Sequence, residues 1–421
     1  MHKIKQFFFA LIFTIIPVIT FAQNHTNSPY TRHGYGKLAD KAFASQRGMG
    51  GIGYGLRNSK IINSMNPASY SNIDSMTFML DLGAVGQFAW YEEGNSKESK
   101  GNGGFEYLAM QFPLAKSLGV GFGLEPISHV GYLYGDFQKL AEEEEDVFSN
   151  SIYHGTGGLS QVYGSISYNI LNRFSIGTKI AYLFGDIHHD RTSSFSSPNT
   201  YNTSWRDTLR INGFTYNLGI QYHQPIGKDN DLVFGVVYTP KIKVNGLVKS
   251  DIRRGNSSGG TVSSDYQVYK DSVFEMPESY GAGITFSKVN KYTLGADVLY
   301  QKWSKARFHD KEDELYDLLK FNVGGEYIPD AFGRNYFKHI RYRAGAYYSD
   351  SYIKVRDAGY KEYGLSIGLG FPTVGRRSIV NVSFEYSMLR PEASWMIDEN
   401  SIKLTFSYTF NDLWFFKREV Q

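Results

Sequence analysis

A short glycine motif is the first stretch of the sequence whose spacing suggests chemistry. Residues 48–53, Gly-Met-Gly-Gly-Ile-Gly, match the loop that binds dinucleotides. That loop works only where a strand precedes it and a helix follows it in a parallel unit, because the helix N-terminus binds the pyrophosphate. Here an apolar N-terminal stretch precedes the motif and strand-like residues follow it. The glycines instead predict a backbone that bends and packs closely against a neighbouring surface.

Two other stretches contain residue types that bind metal ions. His188 and His189 are adjacent on a predicted strand, so their imidazoles point to opposite faces and do not converge. Glu142–Asp146 is a run of carboxylates that fits either a solvated loop or a Ca²⁺ site bridging lipopolysaccharide phosphates. We interpret both stretches as solvated, and the sequence predicts no metal site and no cofactor.

Catalysis and nucleic-acid binding are both disfavoured by the composition. None of the ten histidines lies in a recognisable triad motif, and no H-E-x-x-H sequence occurs. Lys and Arg total 44 against 41 Asp and Glu, so no basic excess points to a nucleic acid. The lack of cysteine excludes disulfides, thiolate metal sites and a lipoprotein anchor. The sequence therefore predicts a protein that is not an enzyme.

Alternation of apolar and polar residues is the strongest structural signal in the chain. Near the C-terminus, Val382, Phe384 and Tyr386 share one face of a strand, whereas Ser383 and Glu385 share the other. One face suits hydrocarbon and the other suits a polar lumen. The 32 Tyr, 30 Phe and 44 Gly residues also fit a transmembrane barrel, in which aromatic side chains crowd both membrane interfaces.

This pattern predicts an all-β fold: a transmembrane barrel of about 14 antiparallel strands over residues 76–411, followed by a periplasmic tail at 412–421. The predicted strands lie near residues 76–91, 104–114, 117–134, 158–171, 173–189, 205–224, 231–250, 271–287, 290–303, 318–329, 338–350, 360–371, 377–390 and 401–411.

The predicted connections alternate in length. Those after even-numbered strands are short, as expected for periplasmic turns, and those after odd-numbered strands are longer and more polar, as expected for outer loops. Because many strands exceed the ~9–11 residues that cross a bilayer, we expect some to project on the outside. The longer loops are predicted at Glu92–Gly103, Gly135–Gly157, Asp190–Ser204 and Asp251–Lys270.

The first 22 residues predict a cleaved export signal. Lys3 and Lys5 precede an apolar stretch, Phe7–Phe21, which ends before the small residue Ala22. This stretch is too short for a comfortable membrane-spanning helix. We expect the mature chain to begin at Gln23 and to lie in the outer membrane of a Gram-negative bacterium, in contact with its lipids and lipopolysaccharide.

Residues 23–75 fit neither a strand nor a flexible linker. Fourteen strands enclose a lumen too wide to be filled by their own side chains, and a segment of this length has the right size to plug it. We therefore predict an N-terminal hatch inside the barrel. The hatch residues expected to press against the wall are Gly48, Gly50, Gly51, Asn66, Pro67 and Ala68.

Charged residues on the predicted lumen face have two interpretations. They form either ion pairs that hold the hatch, which we favour, or a site for the anionic head group of a ligand. The cations that such a head group would contact are Lys179, Arg341, Arg343 and Lys403, and the acids on the same face are Asp297, Glu326 and Glu385.

Pro126 interrupts the third predicted strand. Proline cannot donate to the strand ladder, so within a sheet it is found mainly at bulges and edges. Pro126 marks either a simple bulge or a kink that opens the barrel wall sideways, and the nearby Gly121 and Gly123 would let the chain bend. Both interpretations stay open at this point.

Three stretches resemble the FadL/TodX-type outer-membrane transporters of hydrophobic compounds, in the form common in Bacteroidetes. Residues 28–68, from Ser-Pro-Tyr-Thr-Arg to Asn-Pro-Ala, are similar to that family's N-terminal hatch. Residues 118–126 are similar to its kinked third strand. Residues 277–304 are similar to a strand pair of the family that ends in Trp-Ser.

The resemblance implies passive uptake of small hydrophobic molecules, such as long-chain fatty acids. In that mechanism the ligand is captured outside, enters a pocket against the hatch and leaves sideways at the kinked strand. Glu142–Asp146 departs from the family's apolar capture groove, since a carboxylate ligand would meet like charge.

The alternative function is a FadL-like barrel that binds protein partners, as a secretion shuttle or an envelope-organising component, because a shared fold does not settle function. An apolar pocket beside the hatch would indicate transport. A filled lumen with ordered outer loops would indicate partner binding.

Overall fold

The computed structural model describes residues 25–140, 147–196, 200–255, 261–269, 273–373, 375 and 377–413. The predicted export signal, the acidic run at 142–146 and most of the predicted tail lie outside the described residues. No helix among the described residues has the length and apolar character needed to cross a bilayer.

In the described part of the chain, eighteen strands form one sheet. The first is β1 (Lys37–Leu38), and the wall consists of β2 (Thr77–Glu93), β3 (Ser96–Ala115), β4 (Leu118–Leu140), β5 (Val147–Ile170), β6 (Phe174–Phe195), β7 (Asn202–Ile226), β8 (Asn230–Thr239), β9 (Ile242–Gly255), β10 (Thr261–Tyr269), β11 (Val273–Met276), β12 (Ser279–Lys288), β13 (Tyr292–Gln301), β14 (Leu318–Tyr327), β15 (Arg341–Asp350), β16 (Tyr360–Pro372), β17 (Ile379–Pro391) and β18 (Asp398–Leu413).

The wall is a closed barrel of 14 antiparallel strands. β8 and β9 are two parts of the seventh wall strand, since both pair with β7, and β10, β11 and β12 together make the eighth. The last strand, β18, pairs with the first, β2, so the described sheet closes on itself. Closure satisfies the backbone groups that a free edge would expose to lipid. The predicted fold is confirmed.

The two faces of the wall follow the predicted alternation. Phe384 is 38% exposed, whereas its neighbours Ser383 and Glu385 are 1% and 6% exposed. Phe214 and Ile220 on β7 likewise point outward and are exposed. The lipid-facing and lumen-facing sets therefore agree with the sequence pattern.

The predicted outer loops are wrong in extent, because most of their described residues continue the strands. β3 begins at Ser96, directly after a turn at Gly94. β4 continues to Leu140, and β5 begins at Val147. Backbone pairing continues there, and residues 135–139 of β4 are exposed on both faces of the sheet. Such a sheet needs no alternation of apolar and polar residues, so the sequence gives no strand signal.

Residues 25–76 contact inward-facing residues of strands around the barrel. This N-terminal segment contains only short regular elements. They are the 3-10 helices η1 (Pro29–Arg32) and η2 (Pro67–Asn72), the helix α1 (Ala44–Arg47) and β1; the 3-10 helices η3 (Trp303–Lys305) and η4 (Tyr336–Lys338) lie in later loops.

An aromatic cluster fills the lumen at the end formed by the predicted outer loops. Tyr35 of the N-terminal segment packs against Trp303 at 5.6 Å between ring centroids, and Trp303 packs against Tyr352 at 4.7 Å. Phe274 and Phe308 complete the cluster. The loops at 302–317 and 351–359 therefore fold inward over the N-terminal segment.

Candidate functional site at the seam between β3 and β4

β3 and β4 stop pairing part-way along their length. The last pair is Leu108 with Leu124, and beyond it β3 pairs only with β2 among the described strands. β4 meanwhile continues its pairing with β5 as far as Leu140. The wall therefore has a seam between β3 and β4 that begins at Leu124.

A β-bulge lies beside the start of this seam. β4 pairs with β5 through Pro126 and again from Ser128, which leaves Ile127 as the extra residue. An extra residue changes which positions face the lumen, and both Glu125 before the bulge and Ser128 after it are buried. The bulge interpretation of Pro126 therefore describes the local geometry, and the seam next to it is where a sideways opening would lie.

The N-terminal segment occupies the β4 side of the seam. β1 pairs with β4 at Ser128 and His129, on the edge that β3 has left. The Ala39 amide donates to the Ile127 carbonyl at 2.9 Å. The segment thus satisfies backbone groups that lipid could not satisfy.

Side-chain hydrogen bonds extend this closure. Thr31 Oγ1 donates to the Gly131 carbonyl and accepts from the Gly131 amide, both at 3.1 Å. On the β3 side, Asn27 Nδ2 donates to Asn102 Oδ1 at 3.0 Å. The residues at the start of the segment therefore span from one edge of the seam to the other.

One buried ion pair joins the segment to β3, and a second, between two wall strands, contacts the segment through its lysine. Arg47 of α1 and Glu106 of β3 are 2.5 Å apart, with both side chains at most 5% exposed. Lys179 of β6 and Glu125 of β4 are 2.8 Å apart, and Lys179 also donates to the Ser64 carbonyl at 3.1 Å. Such pairs fix geometry, because breaking one leaves an uncompensated buried charge.

The other predicted lumen charges also have partners inside the barrel. Glu326 lies 2.8 Å from both Arg341 and Arg343, and Glu385 lies 3.5 Å from Lys403. This arrangement fits the ion-pair interpretation better than a free site for a head group.

Asp297 anchors the segment through its backbone. Its Oδ2 accepts from the Gly53 amide at 2.6 Å and from the Tyr54 amide at 2.9 Å.

The predicted hatch glycines meet the wall at close range. Gly50 and Gly51 have φ angles of +68° and +82°, which a residue with a side chain rarely adopts. A Cβ on Gly48 would lie 2.9 Å from the Cα of Gly368 in β16. Gly50 and Gly51 therefore allow a sharp bend of the backbone, and Gly48 allows the segment to approach β16 closely.

The Asn-Pro-Ala element lies against β5, β6 and β7. Asn66 caps η2 by accepting from the Ala68 amide at 3.0 Å, and Pro67 takes the first helical position. Ser167 of β5 donates to the Ala68 carbonyl at 2.7 Å. A Cβ on Gly219 of β7 would lie 2.3 Å from Asn66 Oδ1, so the wall leaves room for this element.

Gly121 and Gly123 of β4 lie against aromatic rings. A Cβ on Gly121 would lie 2.0 Å from the Tyr70 ring of η2, and one on Gly123 would lie 2.6 Å from Tyr163. The two tyrosine hydroxyls are hydrogen-bonded at 3.0 Å. These glycines therefore make room for aromatic rings, a role that their spacing in the sequence did not indicate.

A cavity of about 180 Å³ lies between the N-terminal segment and the wall. It reaches the seam at Ile127 and has an apolar side formed by Leu183, Leu299 and Trp303. Its charged lining consists of Lys37, Asp40, Lys41, Asp297, Lys320, Asp350, Glu362, Glu385 and Lys403.

Most cations of this lining are paired, and Lys41 is the exception among the described residues. Lys37 lies 3.6 Å from Glu362, and Lys320 lies 3.2 Å from Asp40. Burial, together with the charge of Lys179, lowers the pKa of Lys41 to about 8. An anionic group entering the cavity would find Lys41 available.

Sequence reasoning missed the residues that matter most here, namely Lys41, Arg47, Glu106 and Glu125. Glu125 gave a usable signal, because it shares the inward face of Gly121 and Gly123. The others gave none, since their partners lie far away along the chain.

Comparisons with known proteins agree with the barrel fold. The family model described as BamG matches residues 3–421. No curated protein sequence gives a significant match. Among solved structures, the toluene transporter TodX of Pseudomonas putida has a TM-score of 0.60 and 16% identity over 89% of this chain and 99% of its own.

Two further structures have the same fold. A FadL homologue of Pseudomonas aeruginosa has a TM-score of 0.59 and 13% identity, covering 90% of this chain and 99% of its own. The monoaromatic hydrocarbon channel CymD has a TM-score of 0.57 and 17% identity, covering 89% and 97%. The chain belongs to the BamG family, and its fold is that of the FadL/TodX-type outer-membrane barrels.

Proposed function

We propose that this barrel lets small hydrophobic molecules cross the outer membrane without an energy source of its own. The ligand occupies the cavity beside the N-terminal segment and leaves sideways through the seam between β3 and β4. The observation that carries the proposal is that the cavity reaches the seam. Ile127, the bulged residue of β4, lines the cavity and lies at the seam.

The size and lining of the cavity support a ligand about as large as one aromatic ring. An engineered protein cavity of about 150 Å³ binds benzene, and this one measures about 180 Å³. Leu183, Leu299 and Trp303 provide apolar contact, and Lys41 favours a ligand with an acidic group. A long acyl chain would require the N-terminal segment to move.

A sideways exit is favoured by the chemistry of such a ligand. Moving apolar surface from water into hydrocarbon is worth about 0.8 kcal/mol per CH₂ group, so a hydrophobic molecule gains by entering the bilayer directly. The exit requires a break in the strand ladder, which is costly in lipid unless other groups cover it. At the seam the N-terminal segment provides that cover and has to shift for the ligand to leave.

A reversible cross-link tests this mechanism, and the absence of native cysteine makes it specific. Asn27→Cys with Asn102→Cys, joined by a short thiol-reactive linker that a reductant cleaves, ties the segment to β3. We expect uptake of a radiolabelled monoaromatic hydrocarbon to fall after cross-linking and to recover after reduction. Pro126→Ala, which restores a ladder donor, is expected to slow uptake without preventing assembly.

The control is a cross-link across an intact ladder. Ser387 and Ser401 are opposite each other on β17 and β18, with their hydroxyls 2.8 Å apart. Cysteines at these two positions should leave uptake unchanged. Equal uptake by cross-linked and reduced Asn27/Asn102 protein would contradict a sideways exit through this seam.

A second candidate function is a barrel that binds protein partners. The aromatic cluster of Tyr35, Trp303 and Tyr352 fills one end of the lumen, and charged side chains share the cavity lining; both features favour this reading. Native mass spectrometry of the protein purified in mild detergent distinguishes transport from partner binding. A bound small molecule supports transport, whereas a stoichiometric protein subunit, combined with uptake no faster than in cells lacking the barrel, supports partner binding.

A further inference from the structure

Three metal-ligating side chains meet at the seam. They are His25 of the N-terminal segment, Glu106 of β3 and His129 of β4, and one ligand atom from each lies within 4.8 Å of the others. The two imidazole rings stack with centroids 4.5 Å apart and 20° between their planes. Glu106 lies on one edge of the seam, His129 lies on the other, and His25 belongs to the segment between them. An ion bound by all three would therefore hold the segment to both edges.

The atoms facing this point are available for binding. Glu106 uses Oε1 for Arg47, and its Oε2 faces His25 Nδ1 at 3.7 Å, beyond hydrogen-bond distance. His25 Nδ1 is buried and has no hydrogen-bond partner among the described residues. A buried polar atom without a partner is unusual in a folded protein and calls for an explanation.

Two imidazoles and one carboxylate form the ligand set of many three-ligand zinc sites, in which water takes the fourth position. Tetrahedral ligands at bond lengths of about 2.1 Å lie roughly 3.4 Å apart, so the three side chains have to close by about an ångström. His25 already contacts both partners, since its ring stacks on that of His129 and its Nδ1 lies 3.7 Å from Glu106 Oε2.

We propose that His25, Glu106 and His129 bind a divalent transition metal ion of the Zn²⁺ type, and that the ion latches the N-terminal segment across the seam. Arg47 stays on Glu106 Oε1, so the carboxylate binds the metal through one oxygen. The sequence predicted no metal site because the three ligands lie in separate segments. This proposal does not depend on which molecule, if any, passes through the barrel.

Titration of the purified full-length protein with Co²⁺ and Zn²⁺ tests the site. We expect one equivalent of Co²⁺ to give the visible absorption of a tetrahedral complex, and Zn²⁺ to displace it. His25→Ala and His129→Ala should each weaken binding by roughly tenfold or more, since the loss of even an outer-shell partner costs about that much. His223→Ala is the matched control, because His223 forms a similar pair with Asp231 at 2.8 Å far from the seam.

Thiol labelling tests separately whether the bound ion holds the segment across the seam. In the Asn27→Cys protein, Zn²⁺ should slow thiol labelling at position 27, and it should have no effect when His129→Ala is also present. Heat-induced unfolding of the metal-free variants establishes that they are folded. Failure to bind Co²⁺ or Zn²⁺, equal binding by wild type and both histidine variants, or labelling that Zn²⁺ does not change would each overturn the proposal.

Discussion

Replacing Asp297 is expected to loosen the N-terminal segment from the wall. The Asp297 carboxylate accepts two hydrogen bonds from the segment's backbone, at 2.6 Å from Gly53 and 2.9 Å from Tyr54. Asp297 is only 5% exposed, so these hydrogen bonds are formed away from bulk water. The adjacent Gly283 leaves room for the carboxylate, because a Cβ there would lie 2.0 Å from Asp297 Oδ1.

The magnitude follows from the groups left without a partner. Asp297→Ala leaves two buried amide donors unpaired, at about 1–3 kcal/mol each, so the free energy of unfolding should fall by about 2–6 kcal/mol. Asp297→Asn keeps an acceptor and loses only the charge, so it should cost roughly half as much. Asp186→Ala, which breaks an exposed pair with Arg210, should cost no more than about 1 kcal/mol.

Two measurements check this reasoning. Equilibrium unfolding in denaturant gives the change in free energy for the three variants. Hydrogen exchange at the amides of Gly53 and Tyr54 reports on the anchor itself, and both should exchange faster in Asp297→Ala. A cost below about 1 kcal/mol with both amides still protected would refute the assignment of Asp297 as an anchor.

Three further predictions concern the wall, the lumen and the cavity. Phe384→Arg, at mid-strand on the lipid face, should cost ~2–4 kcal/mol in a refolding assay, whereas Val380→Arg near the strand end should cost ~0–1 kcal/mol; equal costs would contradict the membrane placement. Deleting residues 24–70 should raise ion conductance in planar bilayers, and unchanged conductance would mean that the segment does not block the lumen. Binding of a small aromatic carboxylate should weaken as the pH rises through about 8, where Lys41 loses its proton. The Lys41→Met protein should bind this carboxylate weakly at every pH. A Lys41→Met protein with the wild-type pH profile would exclude Lys41 as the contact.

Ser383, the inward neighbour of Phe384, is not a suitable control for the first of these predictions. Ser383 is only 1% exposed, so an arginine there would meet protein atoms rather than water. For this reason Val380, rather than Ser383, is the proper control for Phe384. The alternation identified the face correctly and could not identify what covers it.

The sequence alone determined the wall. Each strand through the membrane must present apolar residues to lipid and polar ones to the lumen. The alternation around Phe384 is therefore visible in consecutive residues of the sequence. It also indicated a plug-sized N-terminal segment with bending glycines at Gly50 and Gly51, and it marked Pro126 as a place where the ladder is disturbed. All of these signals are local, since they depend on spacing within a few residues.

Only the tertiary structure decided how the seam is built and closed. Whether β3 pairs with β4 beyond Leu124, and whether β1 takes its place, depends on strands that meet only when the barrel closes. The pairing of Arg47 with Glu106 and the meeting of His25 with His129 likewise join residues far apart in the chain. Partner choice for a buried charge is set by distance in space and by the loss of water around it, and neither quantity can be read from the order of the residues.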